Sequence, residues 1–231
     1  MEPEALNDLR FVGYRRRLIE EIRSHGIEDL EILQLFDRVP RHLFVPEGVR
    51  VRAYEDAPLP IGYGQTVSKP SLQALLLQIL RPGSRDRVLE IGTGSGFLTA
   101  LLALTSERVF SVERVRELST RARSALDSLA ISNVALMVGD GSIGWRKFAP
   151  YQVITVSAAS PSIPQALLDQ LADGGRLLIP VGTRKAQELI LVRREGKELV
   201  RETLRDRCTF VPLLGQYGWS DEASPGSDRP S

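Results

Sequence analysis

The amino-acid sequence predicts an α/β protein with a mostly parallel, seven-stranded sheet, helices on both faces and a helical appendage at the N-terminus. Short β-branched runs alternate with longer Ala- and Leu-rich runs, the pattern of a doubly wound sheet. A glycine-rich turn, Gly92 to Gly96, joins the predicted strand Val88 to Ile91 to the helix that follows it. Glu195-Gly196-Lys197 has the pattern of a hairpin. This hairpin would add an antiparallel strand pair near the C-terminus.

The first third of the chain predicts helices followed by an irregular passage. Apolar residues at helical spacing indicate helices from Leu6 to Arg23 and from Glu28 to Phe36. An extended segment, Val39 to Pro46, leads into an irregular passage from Glu47 to Pro70. Irregular passages of this length are uncommon unless they form lids or binding surfaces. A helix capped by Ser71 is then expected from Ser71 to Leu80.

The remaining elements are predicted to alternate as strand and helix. We expect helices at Val115 to Leu129 and Pro164 to Leu171. The strands after the glycine turn are expected at Arg108 to Glu113, Val134 to Val138, Val153 to Val156, Arg176 to Val181, Glu188 to Arg194 and Glu198 to Val211. We divide the chain into the appendage with its loop (1–70), a ligand-binding core (71–219) and a polar tail expected to be disordered (220–231).

Composition argues against several classes of protein. The formal net charge of +1 gives no broad electrostatic reason to expect nucleic acid or a membrane as a partner. No apolar run approaches the length of a membrane span. The single cysteine, Cys208, allows no internal disulfide and fits a reducing compartment. The first residues lack the order of a signal peptide. We therefore expect a cytoplasmic protein without a metal site.

The glycine turn predicts a binding site for a nucleoside-type ligand. A strand-to-helix turn leaves the first N–H groups of the helix unpaired at the carboxyl edge of the sheet, where doubly wound proteins hold ligands. Glu90 lies two residues before Gly92. A carboxylate there would repel a pyrophosphate, so the site suits a ligand with positive charge. S-adenosylmethionine, with its sulfonium and ammonium groups, is such a ligand.

Two further acidic residues end neighbouring strands. Glu113 lies 19 positions after Gly94, where a carboxylate is placed to accept hydrogen bonds from ribose hydroxyls. Asp140 and Gly141 form a turn at the same edge of the sheet. Asp140 could accept a hydrogen bond from an adenine amino group, or it could simply form the turn.

Nine segments of the chain resemble the protein-L-isoaspartate (D-aspartate) O-methyltransferase family. The resemblance covers about residues 5 to 215, and the loop from Leu59 to Pro70 is its most specific part. The segments are Val39 to Arg41, Leu43 to Pro46, Ala53 to Asp56, Leu59 to Gly62, Gly64 to Ser68, Val88 to Gly96, Ser111 to Arg114, Gly139 to Gly141 and Phe210 to Leu213.

The resemblance implies a Rossmann-like class I methyltransferase. It would transfer a methyl group from S-adenosylmethionine to the carboxylate of L-isoaspartyl and D-aspartyl residues in damaged proteins and peptides. The ester then cyclises to a succinimide, which partly reopens to normal aspartate. We expect such substrates as its partners, and a monomeric enzyme.

Site residues are assigned through the same resemblance. Ser68 corresponds to the active-site serine, and Ser68, Lys69 and Val211 are the expected substrate-binding residues. Lys69 could attract a substrate carboxylate, or it could point to solvent, which is the more common outcome for a lysine. The expected cofactor-binding residues are Thr66, Val67, Glu90, Gly92, Thr93, Gly94, Ser95, Gly96, Glu113, Arg114, Asp140 and Gly141. The chain departs from the commoner bacterial pattern at Lys69, Phe97, Gln152, Ser157 and Ser160.

A carboxylate acceptor needs no general base, because it is already ionised at neutral pH. The two histidines, His25 and His42, lie in the appendage, and His42 is expected to be structural. We expect Ser68 to aim the acceptor rather than to act as a covalent nucleophile. Three alternatives stay open: a relative that methylates aspartate in one dedicated peptide, a non-catalytic S-adenosylmethionine-binding protein, and an NAD-linked dehydrogenase, which Glu90 disfavours.

Overall fold

The computed structural model describes residues 9 to 220. The start of the first predicted helix and the predicted tail, except Ser220, lie outside these residues. None of the described helices is both long enough and apolar enough to cross a bilayer.

The centre of the fold is the predicted seven-stranded sheet. Its strands are β3 (Arg87–Ile91), β4 (Arg108–Glu113), β5 (Val134–Val138), β6 (Tyr151–Val156), β7 (Leu171–Gly182), β8 (Gln187–Glu195) and β9 (Glu198–Cys208), in the order β5-β4-β3-β6-β7-β8-β9. The pairs from β5 to β7 are parallel, whereas β8 pairs antiparallel with both β7 and β9. Because β3 lies between β4 and β6, the chain direction across the sheet reverses there, which places a ligand crevice at the ends of these strands.

Helices occupy most of the predicted positions. They are α1 (Leu9–Ser24), α2 (Leu30–Arg38), α3 (Pro70–Leu80), α4 (Phe97–Thr105), α5 (Arg116–Ser128) and α6 (Gln165–Leu168). The predicted cap at Ser71 is wrong: Lys69 is the N-cap of α3, and Pro70 opens the helix. Proline suits that first position because its fixed φ matches the helix and its missing N–H needs no partner. The side chain of Asp56 accepts hydrogen bonds from the N–H (2.7 Å) and the hydroxyl (2.6 Å) of Ser71.

The N-terminal region holds more regular structure than predicted. The segment expected to be extended contains a 3-10 turn, Arg41–Phe44. The passage expected to be irregular contains a second 3-10 turn, Glu47–Arg52, and a hairpin of β1 (Leu59–Gly62) and β2 (Gln65–Val67). The hairpin escaped prediction because its strands are four and three residues long.

Two apolar layers cover the two faces of the sheet. Successive residues of a strand point to opposite faces, so Val88 and Val109 pack in one layer while Leu89 and Phe110 pack in the other. The first layer also contains the buried residues of α1 and α2. The appendage and the sheet therefore share a hydrophobic core, and this core positions the N-terminal loop against the edge of the sheet.

Candidate active site

An open cleft of about 880 Å³, counting its mouth, lies at the carboxyl ends of β3, β4 and β6. Three parts of the chain meet there: β2 with the residue that follows it, the turns at the sheet edge, and the segment after β9. The lining residues are Gln65, Thr66, Val67, Ser68, Gln73, Ile91, Gly92, Thr93, Gly94, Ser95, Leu98, Val112, Glu113, Arg114, Val115, Gly141, Ser157, Ala158, Val211, Pro212, Leu213 and Leu214.

The glycine turn forms the floor of the cleft. Gly94 and Gly96 have φ angles of +53° and +85°, which side chains disfavour. Gly92 also has a positive φ, +91°, and an added Cβ there would make an ordinary 3.4 Å contact with the Cβ of Ser157. Gly96 does not line the cleft, contrary to its predicted role: an added Cβ would lie 2.9 Å from the Cβ of Ala122. Its smallness lets α4 pack against α5.

Glu113 faces the cleft as predicted. Its carboxylate accepts hydrogen bonds from the N–H groups of Gly94 (2.8 Å) and Val115 (2.9 Å). These bonds fix its orientation and tie the end of β4 to the glycine turn. A carboxylate offers about four acceptor positions, so Glu113 retains acceptor capacity for hydroxyl groups of a ligand.

Glu90, which the resemblance assigned to the cofactor site, does not line the cleft. It is fully buried beneath the glycine turn, on the same face of β3 as Val88. One oxygen accepts hydrogen bonds from the hydroxyls of Thr99 (2.6 Å) and Ser111 (2.7 Å), while the other has no partner among the described residues. Burial raises the pKa of Glu90 to about 7, and the two hydroxyls only partly oppose that effect. Burial therefore favours the neutral form of this carboxyl group over the charged form.

Asp140 does not line the cleft, and its carboxylate has the turn-forming role that was the alternative to a contact with adenine. One oxygen caps the short 3-10 turn Gly141–Ile143 through the N–H of Ser142 (2.8 Å). The other accepts the N–H of Gln216 (2.7 Å) and holds the C-terminal segment. Only Gly141 of this pair lines the cleft. A side chain at Gly141 would collide with Ile91.

Ser68 lines the cleft together with Thr66, Val67 and Gln73. Its carbonyl accepts a hydrogen bond from Arg41 (3.0 Å), whereas no described residue bonds to its hydroxyl. Val211 lines the cleft but lies beyond the end of β9, rather than on that strand as predicted. Its carbonyl accepts the N–H of Ala159 (2.8 Å), which fixes the segment against the sheet edge.

Lys69, predicted either to contact substrate or to point to solvent, does not line the cleft, and its side chain is 42% exposed. Its ammonium group is 3.7 Å from the carboxylate of Asp56, which also lies 3.4 Å from His25. Glu21, His25 and Asp56 have the spacing of a metal site. The adjacent ammonium and the two hydrogen bonds from Ser71 already satisfy the Asp56 carboxylate, and they disfavour a cation.

Most departures from the bacterial pattern lie away from the cleft. Gln152 accepts the backbone N–H of Arg87 (2.9 Å), and the Phe97 ring is buried against Phe36 and Phe44. Ser160 is buried and does not line the cleft. Ser157 does line it. Ser157 is therefore the departure that could alter what binds.

His42 is structural, as expected. It is buried, its Nδ1 lies 2.8 Å from the Tyr54 hydroxyl, and its ring stacks on Phe11 with 4.2 Å between centroids.

Sequence reasoning missed several residues of the cleft. Ile91 and Val112 end strands that meet at this edge, and Ser157 with Ala158 follows β6. The end of each parallel strand is the signal that could have identified them. Gln73 could have been found one helical turn after Lys69.

Comparisons with known proteins agree with the geometry. The family model "Protein-L-isoaspartate(D-aspartate) O-methyltransferase (PCMT)" matches residues 14–218. The chain is 49% identical over 213 residues to the protein-L-isoaspartate O-methyltransferase of Methanoculleus marisnigri, covering 91% of this chain and 96% of that protein. It is 46% identical over 210 residues to that of Geobacter metallireducens, covering 90% and 97%.

Two solved structures are similar along most of the chain. A protein-L-isoaspartate O-methyltransferase superposes with a TM-score of 0.79 at 30% identity, covering 88% of this chain and 67% of that chain. A structure from Plasmodium falciparum, described as a putative protein-L-isoaspartate O-methyltransferase in complex with S-adenosyl-L-homocysteine, has a TM-score of 0.76 at 25% identity. The match covers 87% of this chain and 98% of that chain. The sheet, the cleft and these matches together show that the chain belongs to the protein-L-isoaspartate(D-aspartate) O-methyltransferase family.

Proposed function

We propose that this protein transfers a methyl group from S-adenosylmethionine to the free carboxylate of L-isoaspartyl and D-aspartyl residues in damaged proteins and peptides. The methyl ester starts repair through a succinimide. One observation carries the proposal: the glycine turn, Glu113 and Ser68 line the same cleft, in a chain that matches the family from residue 14 to 218.

The residues of the cleft fit the cofactor. Gly92 to Ser95 line it without bulky side chains. The Glu113 carboxylate is held by two backbone N–H groups and keeps acceptor positions for ribose hydroxyls. Thr66, Val67, Arg114 and Gly141 complete the cofactor surface that we propose. When bound, S-adenosylmethionine supplies an activated methyl group on a sulfonium centre.

Positioning of the acceptor is the chemical task of the chain's own residues. No histidine lies among the residues that line the cleft within 9–220, and an ionised carboxylate needs no base. We assign the hydroxyl of Ser68 to donate a hydrogen bond to the acceptor carboxylate and to aim it. Orientation of this kind contributes up to roughly 7 to 11 kcal/mol to catalysis in favourable cases.

We propose that the enzyme acts as a cytoplasmic monomer without a nucleic-acid partner. One chain supplies all parts of the cleft, and the net charge is close to zero. The single cysteine suits a reducing compartment. Size-exclusion chromatography with light scattering would test the oligomeric state.

The direct test is methyl transfer to two synthetic peptides that differ only in whether one residue is isoaspartyl or aspartyl. With methyl-labelled S-adenosylmethionine, we expect a base-labile methyl ester on the isoaspartyl peptide and none above background on the aspartyl peptide. Equal labelling of both would contradict the proposal. Absence of labelling on both, together with binding of S-adenosylhomocysteine, would favour a non-catalytic protein.

A further inference from the structure

Arg41 is a buried cation that contacts two residues of the cleft lining. It lies in the 3-10 turn Arg41–Phe44 and is 1% exposed. Its guanidinium is 4.9 Å from the centroid of the Phe97 ring, the first residue of α4. It therefore touches both the appendage and the helix that follows the glycine turn.

Two hydrogen bonds from Arg41 end on groups of the cleft. Nη1 donates to Oε1 of Gln73 (3.0 Å), and Nη2 donates to the carbonyl of Ser68 (3.0 Å). Both Ser68 and Gln73 line the cleft, whereas Arg41 does not. Since arginine offers only donors, the oxygen of the Gln73 amide must face it. The NH₂ group of Gln73 is thereby turned away from Arg41.

Burial of the Arg41 charge carries a desolvation cost, and the local hydrogen bonds offset this cost only in part. No described carboxylate forms a hydrogen-bonded pair with Arg41, and its Nε has no partner among the described residues. Burial lowers the pKa of Arg41 to about 9, although Asp56 opposes this effect by its charge. Buried charges without a close counter-ion are expensive. An apolar side chain would serve stability alone at least as well.

We infer that Arg41 is a positioning residue. Its guanidinium fixes the backbone of Ser68 and the amide of Gln73, so that the Ser68 hydroxyl and the Gln73 NH₂ group both face a carboxylate in the cleft. Such a carboxylate belongs either to the acceptor or to the amino-acid end of the methyl donor. The inference rests on the proposed function, because it assigns Arg41 to the same reaction.

The test compares Arg41→Lys, Arg41→Met and the control Arg38→Met, an exposed arginine on α2. Lysine keeps the charge but lacks the planar fork that reaches two acceptors. We expect kcat/KM for the isoaspartyl peptide to fall roughly tenfold in Arg41→Lys and roughly 100-fold in Arg41→Met. The control should stay within twofold of wild type.

Calorimetry with S-adenosylhomocysteine distinguishes the two carboxylates. An unchanged Kd with altered peptide kinetics assigns the positioned donors to the acceptor, and a weakened Kd assigns them to the methyl donor. Either result supports the inference. In a Gln73→Met background, the effect of Arg41→Met should shrink, because one of the groups it positions is gone.

Thermal unfolding monitored by circular dichroism shows whether each variant is folded at the assay temperature, and so separates a loss of positioning from a loss of structure. Wild-type kinetics and Kd in a folded Arg41→Lys protein would overturn the inference, even if Arg41→Met fails to fold. A loss of activity that disappears at temperatures where the variant is folded would also overturn it. An inactive wild-type enzyme in the same assay would instead refute the proposed function.

Discussion

Ser68 combines two properties that suit an orienting residue. Its backbone is held by the buried Arg41, while no described residue bonds to its hydroxyl at the edge of the cleft. A donor that is held in place but not already engaged can bind a ligand without first breaking a protein contact. This arrangement favours positioning of an acceptor over covalent catalysis, since no described residue accepts a hydrogen bond from the hydroxyl and no histidine is among the described residues that line the cleft.

Replacing Ser68 by alanine should impair turnover without affecting cofactor binding. We expect kcat for the isoaspartyl peptide to fall roughly 10- to 100-fold, the loss typical of one hydrogen bond to a charged group. Steady-state kinetics would measure it, with the exposed Ser132→Ala as control. Unchanged kcat and KM would remove Ser68 from the mechanism.

Glu113 should govern cofactor affinity. Glu113→Gln leaves one acceptor oxygen where the carboxylate now binds two backbone N–H groups. We expect the Kd of S-adenosylhomocysteine to rise at least roughly tenfold, since a charged acceptor is lost. Isothermal titration calorimetry would measure it against Glu117→Gln, an exposed residue in the first turn of α5. Equal affinities would show that Glu113 only braces the turn.

Glu90 should make stability depend on pH. Its pKa is raised by burial from the ordinary 4.5 to about 7, so the folded protein binds more protons than the unfolded chain between these values. The free energy of unfolding should therefore fall as pH rises through this window.

Glu90→Gln cannot ionise and mimics the protonated acid. Its stability relative to wild type should increase from pH 5 to pH 8, by roughly 3 kcal/mol at most. Urea unfolding at the two pH values, with Glu117→Gln as control, would measure it. A difference that does not change with pH would mean that Glu90 stays ionised.

At the residue scale, the sequence was informative about strand ends and uninformative about side-chain direction. Glu113 and Ser68 lie in the cleft as predicted, but Glu90, Asp140, Lys69 and Gly96 do not. For Glu90 the strand's two-residue period placed it under the turn, next to a threonine and a serine from distant segments. Such partners depend on the tertiary structure, which spacing along the chain does not contain.

The glycine turn is the element on which the cleft depends most. Gly94 and Gly96 share the strained backbone region, yet their surroundings differ. An added Cβ at Gly94 would make an ordinary 3.5 Å contact with Ile61, whereas one at Gly96 would press on Ala122 at 2.9 Å. Gly94 therefore forms part of the cleft surface, whereas Gly96 allows α4 to pack on α5.

Alanine at these two positions should have unequal effects on stability. Gly94→Ala should lower the free energy of unfolding by roughly 1 kcal/mol, from backbone strain. Gly96→Ala should lower it by roughly 2 to 4 kcal/mol, because overpacking adds about 1 to 3 kcal/mol. Urea unfolding would measure both. Equal losses would contradict the packing role of Gly96.

Elements with strong periodicity were predictable, and short ones were not. The strands around the glycine turn and the hairpin of β8 and β9 occur where the sequence indicated. The β1–β2 hairpin was missed, partly because its turn uses Tyr63 at a φ of +56°, where tyrosine is not expected. The 3-10 turn at Arg41 was missed because a segment bounded by prolines is typical of extended backbone.

The whole molecule joins two regions through one apolar layer. Phe36 and Phe44 from the appendage pack on Phe97 of the sheet region. This contact holds the loop that carries Ser68 over the edge that carries Glu113. The sheet class and strand count followed from sequence, whereas the way the appendage completes the cleft required the structure.

We propose that the cleft selects an isoaspartyl carboxylate for methylation. This proposal is tested most directly by incubating an equimolar mixture of isoaspartyl and aspartyl forms of one peptide with the enzyme and S-adenosylmethionine, and following both by chromatography. We predict that the isoaspartyl form declines while the aspartyl form accumulates, with methanol released. An isoaspartyl form that persists, or an aspartyl form that is methylated equally fast, would contradict the account.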